Sequence, residues 1–135
     1  MSGYDNSFSG DFVDRADFIG TNFNQAKLDT NRSHNALTQE YFNTAVFGPN
    51  ALGTFGNSGK NNLRGPGSFD TDIALLKDLK IHESYVLQIR AEAYNAFNDV
   101  SFGAPDATLT DPTFGQILST SNSPRVLQFA LKLLF

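Results

Sequence analysis

Arg125-Val126-Leu127-Gln128-Phe129-Ala130-Leu131-Lys132-Leu133-Leu134-Phe135 closes the chain. Read at a period of two, it puts Leu127, Phe129, Leu131, Leu133 and Phe135 on one face and Val126, Gln128, Ala130, Lys132 and Leu134 on the other. The first face is wholly apolar. The second mixes polar and small groups, which is the alternation of a strand with one greasy and one wet side. About ten residues is also the length that a tilted strand needs to cross a bilayer. Such a strand, with its carboxylate on an aromatic residue, points to the closing strand of an outer-membrane barrel. A core strand of a soluble β domain has the same periodicity, because periodicity does not distinguish lipid from a protein interior.

Two further alternating segments precede it. Phe69 to Leu79 sets Phe69, Ile73, Leu75 and Leu79 against Asp70, Asp72, Ala74 and Asp78. Lys77 interrupts the apolar face near the expected segment end, where a long side chain can snorkel. Ser84 to Asn95 sets Tyr85, Leu87, Ile89, Ala91 and Ala93 against Gln88, Arg90 and Glu92, the cleanest alternation in the chain. Lys80 to Glu83 makes a short connection between them, whereas Ala51 to Ser68 and Ala96 to Pro124 are long, the asymmetry of periplasmic turns and extracellular loops. Phe114 to Thr120 is expected as a further short strand in a hairpin above the membrane, with Ser121 to Pro124 turning back into the last strand.

Residues 1 to 37 are rich in Gly, Ser, Asn and Asp, with Phe8, Phe12, Phe18 and Phe23 at no sustained period, and are expected to be loop. Thr38 can cap a short helix over 38–46 that Gly48 and Pro49 stop. Gly53, Gly56, Gly59, Gly65, Pro66 and Gly67 make the next stretch loop again. The expected division is thus 1–68, an extracellular loop region, and 69–135, the barrel strands with a final extracellular hairpin.

Composition bounds the function. With 135 residues the chain is of one-domain size, and a net charge of -4 leaves no basic stripe for nucleic acid. Without cysteine it builds neither disulfides nor thiolate metal sites. There is no apolar run near eighteen residues, and the first five residues lack the basic and apolar regions of a signal peptide, so an exporting segment is expected to be missing. Thirteen phenylalanines and eleven glycines favour strands and loops over helix.

Longer runs carry a resemblance. Gly53-Thr54-Phe55-Gly56-Asn57-Ser58-Gly59-Lys60-Asn61-Asn62-Leu63-Arg64-Gly65-Pro66-Gly67 and Arg90-Ala91-Glu92-Ala93-Tyr94-Asn95-Ala96-Phe97-Asn98, with Phe102-Gly103 behind it, resemble the C-terminal stretch of TonB-dependent outer-membrane receptors of the Oar-like type, which carry a carboxypeptidase-regulatory-like domain. Phe114-Gly115-Gln116-Ile117 and Pro124 to Phe135 continue the likeness. Upstream, Asp14 to Gly20 and Tyr41 to Phe47 are similar to the last long loop of such receptors. The resemblance covers nearly the whole chain, but those receptors are several times longer, with a plug and a barrel of about 22 strands. It implies a terminal piece of a receptor that imports a bulky nutrient. The implied partners are outer-membrane lipid, the barrel-assembly machinery, the rest of the receptor (plug and remaining strands) and, indirectly through that plug, TonB. It also implies that Leu127, Phe129, Leu131, Leu133 and Phe135 form the signal that the assembly machinery reads.

Catalytic chemistry finds no support in the residues. Gly59-Lys60 lacks the first glycine of a phosphate loop and has Asn61 where Ser or Thr should bind magnesium. Asp70 and Asp72 offer too few ligands for a hard cation, and read better as a polar lumen-facing pair. His34 and His82 lack zinc-site spacing. Asn31-Arg32-Ser33 fits a glycosylation sequon that has no use in a bacterial outer membrane. Gln88, Arg90 and Glu92 project together from one strand, as lumen-facing residues would. Cross-strand ion pairing is the preferred role for them over direct substrate contact. The expected chain is therefore mainly β, antiparallel strands forming the closing part of a transmembrane barrel, with long loops, little helix, no catalytic residue, no metal and no cofactor. The competing reading is a small soluble β-rich module for carbohydrate, its ligand held by Phe97, Phe102 and Phe114. The two part on whether the face of Leu127, Phe129, Leu131 and Leu133 is covered or bare.

Overall fold

The computed structural model describes residues 1–10 and 14–135, so Phe12 lies outside the described residues. The chain divides into two units. Met1–Pro66 joins Gly103–Ser119 in one, and Gly67–Phe102 joins Thr120–Phe135 in the other. The first unit boundary falls between Pro66 and Gly67. The return of residues 103–119 to the loop unit was not legible in the sequence.

The loop unit has only short elements. Strand β1 (Asp17–Phe18) pairs antiparallel with β2 (Phe47–Gly48), and helix α1 spans His34–Gln39. Single 3-10 turns cover Phe23–Ala26 and Thr44–Val46. Aromatic rings supply much of the cohesion. Phe18 meets Phe23 at a centroid distance of 5.0 Å, and Phe42 meets Phe114 at 5.3 Å and Phe47 at 5.7 Å, both edge to face. These phenylalanines show no period because they converge from separate loops. Gly115, at φ +83°, lies against them, and a Cβ there would stand 2.5 Å from Thr44 Cγ2.

Two expectations fail in this unit. The helix over 38–46 is not formed: α1 starts earlier because Ser33 Oγ accepts from the Ala36 amide, and Thr38 is an interior residue whose hydroxyl donates to the Asn35 carbonyl. Glu40 is extended, and Asn43 then caps the separate turn at Thr44–Val46. Phe114 to Thr120 is not a strand either. Its backbone groups go to unrelated partners: the Gly115 amide to Asp106, the Ile117 amide to Thr38, and the Ser119 carbonyl to Gly103. Thr120 alone makes an isolated bridge, with Phe102.

The second unit is a three-stranded antiparallel sheet of β3 (Ile73–His82), β4 (Tyr85–Tyr94) and β5 (Val126–Leu134), in the order β3-β4-β5. The first of these runs later than the Phe69–Leu79 expected. Lys80 and His82 join the ladder opposite Val86 and Tyr85 across a bulge, leaving Glu83 and Ser84 as the turn. Lys77 consequently sits in the middle of β3 and not near its end. The register aligns the alternations of all three strands: Leu79, Leu87 and Leu133 form one row, Leu75, Ala91 and Phe129 another, and Ile73, Ala93 and Leu127 a third. On the reverse face Asp78, Gln88 and Lys132 share a row, as do Ala74, Glu92 and Gln128. Because side chains alternate with a period of two, this register makes one face of the sheet apolar but for Lys77, which shares a row with Ile89 and Leu131, and the other mixed polar.

Candidate functional site

The sheet itself is the candidate site, and its faces differ in chemistry. On the apolar face Phe129 is 76% exposed and Leu131 73%, and no described residue covers them. Phe135, one residue past β5, is 93% exposed. Bare rows of Leu, Ile and Phe this extensive are rare on a surface that meets water. Nine- and ten-residue strands, tilted by about 40°, match an apolar band of about 25 Å.

The polar face is bonded along β4 as well as across it. Arg90 Nε lies 2.8 Å from Glu92 Oε1, and the Tyr94 hydroxyl donates to Glu92 Oε2 at 3.2 Å. Gln88 Nε2 donates to Asp78 Oδ1 at 3.0 Å. The expected cross-strand ion pairing of Arg90 and Glu92 is therefore corrected: Arg90 faces Leu76 and Ala130 across the ladder, and Glu92 faces Ala74 and Gln128, so their charges meet along the strand. Gln88 does bridge strands, to a carboxylate that the alternation put on its face but that had not been singled out.

Beyond β4 the chain makes a polar latch that sequence reasoning missed. Asn95, 3% exposed, takes a left-handed conformation at φ 47°, and Asn98 another at φ 56°. The Asn95 side chain donates to the carbonyls of Asp99 and Ser123 at 2.9 Å each and accepts from the Asp99 amide at 2.9 Å. Its own amide donates to Asp72 Oδ1 at 3.0 Å, which gives Asp72 a role as a tether. Ser101 exchanges hydrogen bonds with both backbone groups of Phe69, Asn122 holds Ser101 and Asp99, and the Arg125 amide donates to Asn98 Oδ1. The start of β3, the end of β4 and the approach to β5 are thus fastened together. The available signal was the spacing of Asn95, Asn98 and Asp99, since Asn is the non-glycine residue that best tolerates this conformation.

The model of the outer membrane β-barrel domain family matches residues 1–128, across both units. The chain belongs to this family. It is accordingly an outer-membrane protein, and the bare rows of its sheet have the composition that a lipid-facing barrel wall requires. Neither the comparison with curated proteins nor that with solved structures returns a match. The competing reading of a soluble binding module is overturned on its own terms. The discriminating face is bare among the described residues, and Phe114 packs against Phe42 and Phe47 in the loop unit.

Proposed function

We propose that β3, β4 and β5 are closing strands of a larger TonB-dependent receptor barrel that imports a bulky nutrient, and that this chain has no catalytic part in it. The observation that carries the reading is the sheet with one bare apolar face, one polar face and, among the described residues, both outer edges open. An open edge invites a further strand, and a closed barrel removes such edges. The ordered motifs from Gly53 to Gly67 and from Arg90 to Asn98 support the finer assignment by resemblance. In this reading Gln88, Arg90 and Glu92 face the lumen and the plug, while Leu127, Phe129, Leu131, Leu133 and Phe135 are offered to the barrel-assembly machinery as a strand to be paired.

The test is uptake at limiting nutrient by cells producing the protein, with and without the energy-coupling protein. Uptake that needs both supports the receptor. Uptake indifferent to energy coupling overturns TonB dependence and leaves a passive barrel. Deleting Phe135 tests the assembly role: folded protein in the outer membrane is expected to fall while synthesis continues, and Leu134→Ala, on the other face, is expected to matter less.

A further inference from the structure

Lys77 is chemically out of place. It stands in the apolar row of β3 between Leu75 and Leu79, opposite Ile89 with Leu131 beyond, and no hydrogen bond or ion pair engages its ammonium among the described residues. It lies four residues after Ile73 and five before His82. At about 2.6 Å of depth per residue in a strand tilted by some 40°, that is roughly 10 Å or more from either end. A lysine stem reaches on the order of 6 Å, so the ammonium falls short of both headgroup layers. A charge at that depth on a lipid-facing wall needs a counter-charge at the same depth.

The sheet shows where one can come from. Toward β4 the neighbouring position is taken by Ile89, but on its other side β3 presents an open edge. A strand paired there would place one outward side chain about 5 Å from Lys77. We infer that the strand pairing with the open edge of β3 carries an outward-facing carboxylate opposite Lys77, forming an ion pair in the lipid-facing wall. This rests on the proposal that β3 to β5 belong to a larger barrel. A second copy of the chain does not supply the partner. The outward residues of β5 are Leu127, Phe129, Leu131 and Leu133, and those of β3 besides Lys77 are Ile73, Leu75 and Leu79, none of them acidic.

The experiment uses outer membranes from cells producing the protein with its native flanking sequence, as wild type, Lys77→Arg and Lys77→Leu. Folded barrel is read from its heat-modifiable migration, and zero-length carbodiimide coupling is followed by peptide mass spectrometry. Lys77→Arg is expected to keep the wild-type amount, and Lys77→Leu to lower it about tenfold because it strands the carboxylate. Carbodiimide is expected to join the Lys77 peptide to an Asp- or Glu-bearing peptide of the same chain. A Lys77→Leu protein at the wild-type level, a coupled peptide from a different protein, or no coupled peptide at all overturns the inference. Wild-type protein with no heat-modifiable barrel defeats the underlying barrel proposal instead, whatever Lys77 does.

Discussion

Asn95 concentrates in one side chain what the latch needs: a left-handed backbone and an amide that both donates and accepts. Asn95→Ala removes the amide and leaves a Cβ in a conformation that alanine disfavours, so a loss of about 2 to 3 kcal/mol is expected in urea unfolding of the folded barrel. Asn95→Gly should recover about 1 kcal/mol of that by relieving the backbone alone. Glycine no better than alanine would show that strain contributes nothing. Asp14 has the same concentration in the loop unit. Burial pushes its carboxyl up, but donation from the Ser7 hydroxyl and amide and from the Asn50 amide outweighs this and holds it below its ordinary value. A depressed folded-state value stabilises above the unfolded-state value and fades as acid protonates the group. Protease cleavage within the loop unit should therefore rise as pH falls from about 5 to about 3, and Asp14→Asn should flatten that rise while cleaving faster at neutral pH. Neither residue was legible as a tether, because what makes it one is a set of partners up to 36 positions away in the chain.

At the level of the strand, the two faces of β4 make opposite demands. Ile89→Arg puts a charge beside Lys77 and Leu131 on the apolar face, and should cost about 2 to 4 kcal/mol near the bilayer midplane. Arg90→Ala and Glu92→Ala should each cost much less, since their ion pair lies on the face assigned to water. Outer-membrane yield of each variant reads the difference, and equal tolerance on both faces would overturn the assignment of one face to lipid and the other to water. The strands were the legible part of this molecule, because a period of two survives in the residue order whatever the strand pairs with. Their ends were less so. The Ile73–His82 strand starts later than its pattern suggested: both backbone groups of Phe69 bond to Ser101 and the Asp72 carboxylate accepts from the Asn95 amide, which the local alternation of Asp and Ala does not reveal. Phe114 to Thr120 misled because its apolar residues suggest a short strand, whereas its backbone groups bond to Asp106, Thr38 and Gly103 in separate segments.

For the whole molecule, three strands are far fewer than the roughly eight that the smallest closed barrels use. The 135-residue chain produced alone should therefore need detergent or aggregate, its apolar rows and two edges being exposed together. A cooperative melting transition of a soluble monomer in plain buffer would defeat the barrel proposal. The loop unit was legible only as loop. Its fold depends on aromatic contacts between segments with no shared period, and on the return of residues 103–119 to it, neither of which leaves a pattern in local order.

The hydrogen bond from the Arg125 amide to Asn98 has a consequence for how the last strand finds its place. It fixes the chain one residue before β5 starts, after a detour of some thirty residues whose closure would otherwise leave the starting point loose. A slip of a single position would turn Lys132 and Gln128 toward lipid and carry Leu131 and Phe129 into water. The side-chain oxygen of Asn98 thus marks, one residue ahead of the strand, the register in which its two faces fall as they do.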